Sequence, residues 1–186
     1  MRKIPTLFVR DENDRRYVTA QVTAGCEWVF TDPRAMPTRK YDGTCVMFDG
    51  TQWWARREVK AGKNPPPNYQ PISTDETTGK TVGWEPIEQS AFAKFHGEAI
   101  WEDTYYAPGT YELIGPKING NPEDEATHVL IEHASAEVIT LTAFDFQEMR
   151  ERFAVLAARG IEGLVWHHPD GRMCKLKVRD FPRTAE

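Results

Sequence analysis

The chain has 186 residues, of which 40% are hydrophobic and 27% are charged, and its formal net charge is −5. The length predicts one globular domain over residues 1–186, or at most one domain and a small lobe, and the negative net charge argues against a generic basic nucleic-acid coat. The sequence contains no apolar stretch of about 18 residues, so no membrane span is predicted. The N-terminus has no signal-peptide core, and we expect a cytoplasmic protein. Three scattered cysteines fit a reducing compartment and lack the paired spacing of a zinc site.

The first third of the chain predicts β structure. Short apolar or alternating runs indicate strands at residues 6–9, 17–22, 27–30 and 44–48. The dipeptide Asp49-Gly50 then predicts a tight hairpin turn, with a returning strand over residues 51–60.

The middle of the chain begins with a Gly- and Pro-rich stretch, residues 61–82. It predicts a long loop, which is either a functional flap or a plain surface excursion. Apolar spacing then predicts a helix over residues 89–102, with His96 on its surface. Strands are expected at residues 109–114 and 128–131.

The last third of the chain predicts one helix and one hairpin. Asp145 is expected to cap the helix, Phe144 and Met149 to form a hydrophobic staple at its start, and Gly160 to end it. Strands at residues 163–167 and 173–178 are joined by a Pro-Asp-Gly turn. Hairpin-linked strands with two helices indicate an α+β fold of antiparallel sheets with flanking helices.

One short motif, Lys40-Tyr41-Asp42-Gly43, lies between two apolar runs. A lysine in such a place is usually paired or reactive. In a strand Lys40 and Asp42 share one face, so the acid would hold and orient the amine, while Gly43 permits a turn or the close approach of a ligand. The pattern fits a lysine nucleophile, although a salt-bridged strand end followed by a glycine turn gives the same letters.

Four other groups carry charges on predicted strands. Glu112 suits ribose hydroxyls or is a plain edge glutamate, and the carboxylate of Glu162 suits Mg²⁺. Lys175 and Lys177 share one strand face and need an anion such as phosphate between them. The pair Arg56-Arg57 suits phosphate, and one of the two is expected to face the same side as the lysine nucleophile; the sequence leaves open which.

The order of these groups resembles motifs I, III, IV and V of the covalent nucleotidyltransferases, which include ATP-dependent DNA ligases, RNA ligases and mRNA-capping enzymes. The resemblance covers residues 38–181, and residues 141–145 look like motif IIIa without a clear base-stacking aromatic. It implies the adenylylation domain of these enzymes, which is an ATP-grasp-like fold. The stretches that carry it are Lys40–Cys45, Trp54–Arg57, Glu112–Pro122 and the segments around Glu162 and Lys175.

The wording of these stretches looks most like the compact RNA ligases related to the vertebrate 5′–3′ RNA ligase, and two features distinguish the chain from DNA ligases and capping enzymes. Cys45 stands where DNA ligases usually carry an arginine, and the chain ends soon after Lys177, so no C-terminal OB-fold is expected. The resemblance implies that Lys40 is the catalytic nucleophile and that Glu162 binds Mg²⁺ or Mn²⁺. The nucleotide-binding residues that it implies are Arg39, Asp42, Arg56, Arg57, Glu112, Lys175 and Lys177.

The implied reaction joins 5′-phosphate and 3′-hydroxyl ends of RNA through a lysyl-AMP intermediate, with ATP and Mg²⁺ as cofactors and RNA as the partner. The alternatives are a small DNA ligase, a GTP-using capping-type enzyme, or a non-catalytic module that binds nucleic-acid ends. Four histidines are candidates for substrate contacts, with surface or core positions as the default: His128, His133, His167 and His168.

Overall fold

A computed structural model of the protein describes residues 3–101, 103–143 and 145–182. These residues form a mixed structure of antiparallel sheets with few helices, as expected from the sequence. In chain order the strands are β1 (Phe8–Arg10), β2 (Val18–Val22), β3 (Met36–Lys40), β4 (Thr44–Phe48), β5 (Trp53–Val59), β6 (Gln70–Thr74), β7 (Thr81–Pro86), β8 (Gly109–Ile114), β9 (Val129–Glu132), β10 (Gly163–His167) and β11 (Met173–Lys177). The α-helices are α1 (Trp28–Thr31), α2 (Ala93–Ala99) and α3 (Phe146–Ala158). None of the helices in the described ranges is long and apolar enough to cross a membrane.

The chain folds into two compact units. Within the described residues, one unit is Lys3 together with the stretch Asp42–Ser135, and the other is Ile4–Tyr41 together with the chain from Ala136 to residue 182. The first unit contains the Asp-Gly half of the sequence motif at residue 40, and the second contains its lysine.

The first unit is built on a six-stranded antiparallel sheet in the order β6-β7-β5-β4-β8-β9. The side chains on one face of the central strands form an apolar core that includes Val46, Ala55, Tyr111 and Leu113. The opposite face of the same strands carries Glu112, because side chains alternate along a strand.

The second unit combines a three-stranded sheet in the order β11-β10-β3 with the two-stranded sheet β1-β2. Leu164, Trp166 and Leu176 lie on one face of the three-stranded sheet and pack into the core of the unit. Phe153 of α3 belongs to the same core. The opposite face of this sheet is therefore available for polar side chains.

The predicted helix near residue 145 is confirmed as α3. The Asp145 side chain accepts a hydrogen bond from the Glu148 amide at 2.9 Å, which satisfies one of the unpaired amides at the helix start. The amides of Gly160 and Ile161 bond back to the Ala157 and Leu156 carbonyls and end the helix. Phe144, expected in the hydrophobic staple, lies outside the described residues.

Three expectations about the elements are wrong. Residues 27–30 do not form a strand, because Trp28–Thr31 is one turn of helix. Residues 61–82 are not a continuous loop, since they contain β6 and the start of β7. Of the helix expected over residues 89–102, the described residues form only α2, after a 3-10 turn at Ile87–Gln89, and Glu102 lies outside the described residues.

His96 is also misplaced by the sequence analysis. Its side chain is buried rather than on the helix surface, and its ring meets the Trp53 ring at 4.7 Å. Burial lowers the pKa of His96 to about 4, so the ring is neutral at physiological pH.

Candidate active site

The register of the three-stranded sheet brings Lys40 and Lys177 to one face. Gly163 of β10 is the direct cross-strand partner of Lys177 on one side and of Lys40 on the other. Residues directly opposite each other in an antiparallel sheet point to the same face. The two lysines therefore lie on either side of Gly163, which has no side chain to separate them.

Gly163 is required at this position by the packing of the strands. A Cβ atom on Gly163 would collide with the Leu176 carbonyl oxygen and lie 2.7 Å from the Lys177 Cα. A larger residue would push β11 away and would widen the space between the two lysines.

Glu162, the residue before β10, joins the two lysines through its carboxylate. Lys40 Nζ donates to Glu162 Oε2 at 2.5 Å, and Lys177 Nζ donates to Glu162 Oε1 at 2.5 Å. The Glu162 side chain is only 8% exposed, against 19% for Lys40 and 17% for Lys177. Lys40 Nζ also donates to the Tyr41 carbonyl at 3.2 Å. We refer to Lys40, Glu162 and Lys177 as the lysine–glutamate triad.

The electrostatics of the triad keep Glu162 ionised. Burial by itself raises the pKa of this carboxyl, but the charges and hydrogen bonds of Lys40 and Lys177 outweigh burial and hold the pKa below its ordinary value of 4.5. One carboxylate shared by two ammonium groups leaves a net positive charge, which suits a phosphate.

Two further cations belong to the same unit. Lys175 lies on the same face of β11 as Lys177, two residues before it, with Val165 as its cross-strand partner. Arg179, which the sequence analysis did not single out, has a guanidinium nitrogen 3.8 Å from Glu162 Oε1. The sequence could have pointed to Arg179, because it follows directly after a predicted strand that already carries two lysines.

Arg39 does not share the face of Lys40. It lies opposite Leu164, on the face that carries the core. Its guanidinium stacks over the Tyr41 ring at 4.8 Å and lies 3.6 Å from the Glu137 carboxylate. A nucleotide contact by Arg39 remains a prediction from the sequence.

The expected pairing of Lys40 with Asp42 is not the arrangement that the structure shows. Strand β3 ends at Lys40, so Asp42 lies beyond the strand and alternation does not put the two side chains on one face. The Asp42 carboxylate instead accepts from Asn119 Nδ2 at 3.0 Å, and the Asp42 amide donates to Glu123 at 2.8 Å. The acid that holds the Lys40 amine is Glu162.

In the other unit, Glu112 lies on β8 on the face opposite the core. Its Oε1 atom accepts from the Gly43 amide at 3.1 Å, and its Oε2 atom lies 2.9 Å from His133 Nε2. Gly43 allows this approach, because a Cβ atom there would collide with the Leu113 carbonyl oxygen. Gly43 belongs to the motif at residue 40, whereas His133 was considered only as one of four histidines that are candidates for substrate contacts.

The same sheet shows which arginine shares the face of Glu112. Cys45 is the direct partner of Glu112, and Ala55 is the partner of Val46 on the neighbouring strand. Alternation then puts Arg56 on the face of Glu112 and Arg57 on the other. Arg56 is half-buried, whereas Arg57 is exposed.

Comparison with known proteins finds sequence similarity to a described protein family. Residues 103–181 match the family model described as RNA ligase 1, and this range contains Glu112, Glu162, Lys175 and Lys177. Among similar proteins, RNA ligase 1 of Pongo abelii is 35% identical over 215 aligned positions, which cover 77% of this chain and 66% of that protein. The RNA ligase 1 proteins of Danio rerio and Mus musculus are 35% and 36% identical, over 36% and 37% of this chain.

The chain is similar in sequence to the RNA ligase 1 family. The match covers 66% of the length of the Pongo abelii RNA ligase 1 and 22% of the Danio rerio and Mus musculus proteins. The family resemblance seen in the motifs is thus supported by sequence matches outside the motif at residue 40, since the family model begins at residue 103.

Proposed function

We propose that the chain is an ATP-dependent RNA ligase with the adenylylation fold of the covalent nucleotidyltransferases, and that Lys40 is its nucleophile. The observation that carries the proposal is the lysine–glutamate triad: a lysine from the predicted nucleophile motif shares one buried carboxylate with a second lysine. The match to the RNA ligase 1 family supports RNA as the substrate to be joined.

In the proposed first step Lys40 attacks the α-phosphorus of ATP. A P–N bond forms, the bond from this phosphorus to the oxygen that bridges to the β-phosphate breaks, and pyrophosphate leaves. An ammonium has no free electron pair, so Lys40 must release its proton to solvent before or during the attack. Glu162 holds the amine in one position, and this removes part of the entropic cost of alignment.

Negative charge builds on phosphate oxygens during each step, so fixed cations contribute much of the catalysis. Lys177 is held beside Lys40 through Glu162, and Lys175 lies on the same strand face. Both suit the α-phosphate. Glu112 and Arg56, which share one sheet face, are proposed to bind nucleotide hydroxyls and phosphate, as the motifs imply.

The donor set around Glu162 fits a magnesium ion of the kind that such enzymes use. Mg²⁺ is usually held by one or two carboxylates together with waters and substrate phosphates. Glu162 offers two carboxylate oxygens in a triad that is otherwise cationic. A bound Mg²⁺ would neutralise phosphate charge, and Glu162 would then exchange a lysine contact for the ion.

The later steps use the RNA. A 5′-phosphate oxygen takes the AMP group from Lys40, so the P–N bond breaks and a phosphoanhydride forms. A 3′-hydroxyl then attacks the 5′-phosphorus, the phosphodiester forms and AMP leaves. Lys40 is released as an amine when the P–N bond breaks, and it takes up a proton from solvent, which restores the triad with Glu162 and Lys177. The attacking 3′-hydroxyl loses its proton to solvent.

The decisive experiment is to incubate the protein with Mg²⁺ and α-labelled ATP and to analyse it on a denaturing gel. We expect acid-labile label on the wild-type chain and none on Lys40→Arg, because the guanidinium keeps the charge but is not a nucleophile at neutral pH. Lys80→Arg is the matched control, since Lys80 pairs with Glu58 at 3.1 Å on the surface. Equal labelling of wild type and Lys40→Arg would remove Lys40 from this role.

Two parallel reactions test the alternatives. Label from GTP but not from ATP would favour a capping-type enzyme, and joining of a nicked DNA in preference to RNA would favour a DNA ligase. Absence of label from both nucleotides, in a protein that still binds RNA ends, would favour a non-catalytic end-binding module.

A further inference from the structure

The face of the six-stranded sheet that carries Glu112 also gathers a thiol and an imidazole. Cys45 of β4 is the direct cross-strand partner of Glu112 of β8, and His133 follows β9. The Cys45 Sγ atom, a Glu112 carboxylate oxygen and a His133 ring nitrogen all lie within 4.8 Å of one another. All three residues belong to the same compact unit.

We propose that Cys45, Glu112 and His133 form a binding site for a thiophilic divalent metal ion such as Zn²⁺. Sulfur, nitrogen and oxygen ligands at tetrahedral positions are the set that Zn²⁺ uses in proteins. The ligand atoms around one tetrahedral zinc ion are about 3.5 Å apart, so the three side chains need to move by only about 1 Å. Three protein ligands leave a fourth position open to water or a small anion.

Neighbouring groups hold His133 and Glu112 in orientations that suit metal binding. His133 Nδ1 lies 2.9 Å from Thr110 Oγ1, so the hydroxyl fixes the ring and leaves Nε2 directed at Glu112. Glu112 Oε1 accepts from the Gly43 amide, which leaves Oε2 on the side of the histidine. A metal ion would replace the present contact between His133 Nε2 and Glu112 Oε2.

Charge and exposure also suit a zinc ion. A thiolate, a carboxylate and a neutral imidazole together carry two negative charges, which balance one divalent cation at a partly buried position. The Glu112 side chain is 11% exposed and that of His133 is 26% exposed, so an ion can enter from solvent. A thiolate prefers Zn²⁺ over Mg²⁺, so this site is chemically distinct from the proposed magnesium ligand Glu162.

The sequence did not indicate this site, because the cysteines lack the paired spacing of a zinc motif. Cys45 and Glu112 are 67 positions apart, and only the pairing of β4 with β8 brings them together. The metal site shares Glu112 with the proposed nucleotide site, so a bound ion and a nucleotide hydroxyl would compete for this carboxylate. Metal binding itself needs neither nucleotide nor RNA, so its test is carried out without them.

The test uses Co²⁺ as a spectroscopic probe of the full chain under reducing conditions without chelator. We expect one Co²⁺ per chain with a thiolate-to-cobalt charge-transfer band in the near ultraviolet, and we expect Zn²⁺ to displace the cobalt ion.

Cys45→Ser should lose the band, and His133→Asn should weaken Zn²⁺ binding at least tenfold in competition with a chromophoric chelator. Thr110→Val should weaken it about tenfold or more through the loss of ring positioning. Cys26→Ala, which removes a buried thiol of the other unit, is the matched control and should keep the band.

A second measurement needs no substitution. Zn²⁺ should slow alkylation of Cys45 by iodoacetamide in the wild-type chain at least tenfold, whereas Cys26 and Cys174 are buried and should stay unreactive with and without the ion. A cobalt band that persists in folded Cys45→Ser, or an alkylation rate of Cys45 that Zn²⁺ does not change, would overturn the proposal.

Discussion

At the scale of single residues, Glu162 is the group on which the proposed active site depends. It is the least exposed member of the lysine–glutamate triad and the one that contacts both lysines. Removing one partner of a buried ion pair leaves charge without compensation, and this is more costly than the pair itself is stabilising. The structure therefore links the stability of this unit to the ionisation of one carboxyl.

We predict that acid weakens the fold through Glu162. Its pKa is lower in the folded chain than the ordinary value of 4.5, so folding favours the ionised form. The resulting stabilisation is complete above about pH 4.5 and is lost as the pH falls through the lower pKa of the folded protein. Urea unfolding at a series of pH values should show this loss in the wild-type chain.

The variant Glu162→Gln should lack that part of the pH dependence. At pH 7 it should be less stable by roughly 1–3 kcal/mol, below the value for a fully buried pair because both lysines retain some exposure. Glu76→Gln is the control, since Glu76 is exposed. If Glu162→Gln and wild type lose the same free energy of unfolding between pH 7 and pH 3, the triad does not stabilise the folded state.

At the scale of elements, the three-stranded sheet needs a glycine at the centre of the triad. We predict that Gly163→Ala lowers the free energy of unfolding by about 1–3 kcal/mol, because the new methyl group overlaps the backbone of β11. It should also reduce adenylylation, since Lys177 sits on the strand that must move. Thermal unfolding and the labelling gel measure the two effects.

Gly97→Ala is the matched control for this glycine. Gly97 lies within α2, and an added Cβ there meets no atom within 4 Å. Alanine should therefore be neutral or stabilising by up to about 1 kcal/mol through helix propensity. Equal stability of Gly163→Ala and Gly97→Ala would show that β11 tolerates the displacement.

The elements also show how far sequence reasoning reaches. Helix α3 was predictable because its cap, apolar stripe and terminal glycine are all local signals. Strand β6 and the start of β7 were missed because residues 61–82 are rich in Gly and Pro, which normally indicate a loop; Pro71 lies within β6, and Gly83 follows in β7. Pro71 lies on the edge strand of the sheet, and Gly83 leaves room for the Tyr69 side chain, so both residues have tertiary reasons.

The site was predictable in its residue types but not in its pairings. Lys40, Glu162 and Lys177 were singled out from motif chemistry, yet Asp42 was expected to hold the amine. The contact between Lys40 and Glu162 joins residues 122 positions apart, and the register of β3 with β10 creates it. Local sequence does not encode such a register, and the same limit hid the neighbourhood of Cys45, Glu112 and His133.

At the scale of the whole molecule, an acidic protein is proposed to hold a polyanion. The net charge is −5, but from Arg172 to Arg183 the sequence carries five basic residues and one acid. Binding of RNA would then rest on a few local cations and would weaken steeply with salt, since each neutralised phosphate releases counterions. The negative total charge would repel RNA at long range rather than attract it.

We predict that Lys175→Ala weakens binding of a 5′-phosphorylated single-stranded RNA and makes it less sensitive to salt. The slope of log K against log salt concentration should become shallower by about 0.7, the value expected for one phosphate contact on a single strand. Lys94→Ala is the control, because Lys94 is a surface lysine with a 79% exposed side chain and an acidic neighbour, Glu98, one helical turn away. Fluorescence anisotropy at several salt concentrations measures both slopes. An unchanged slope in Lys175→Ala would mean that this lysine contacts the nucleotide alone or no phosphate, and RNA would then have to be held by other cations of the chain.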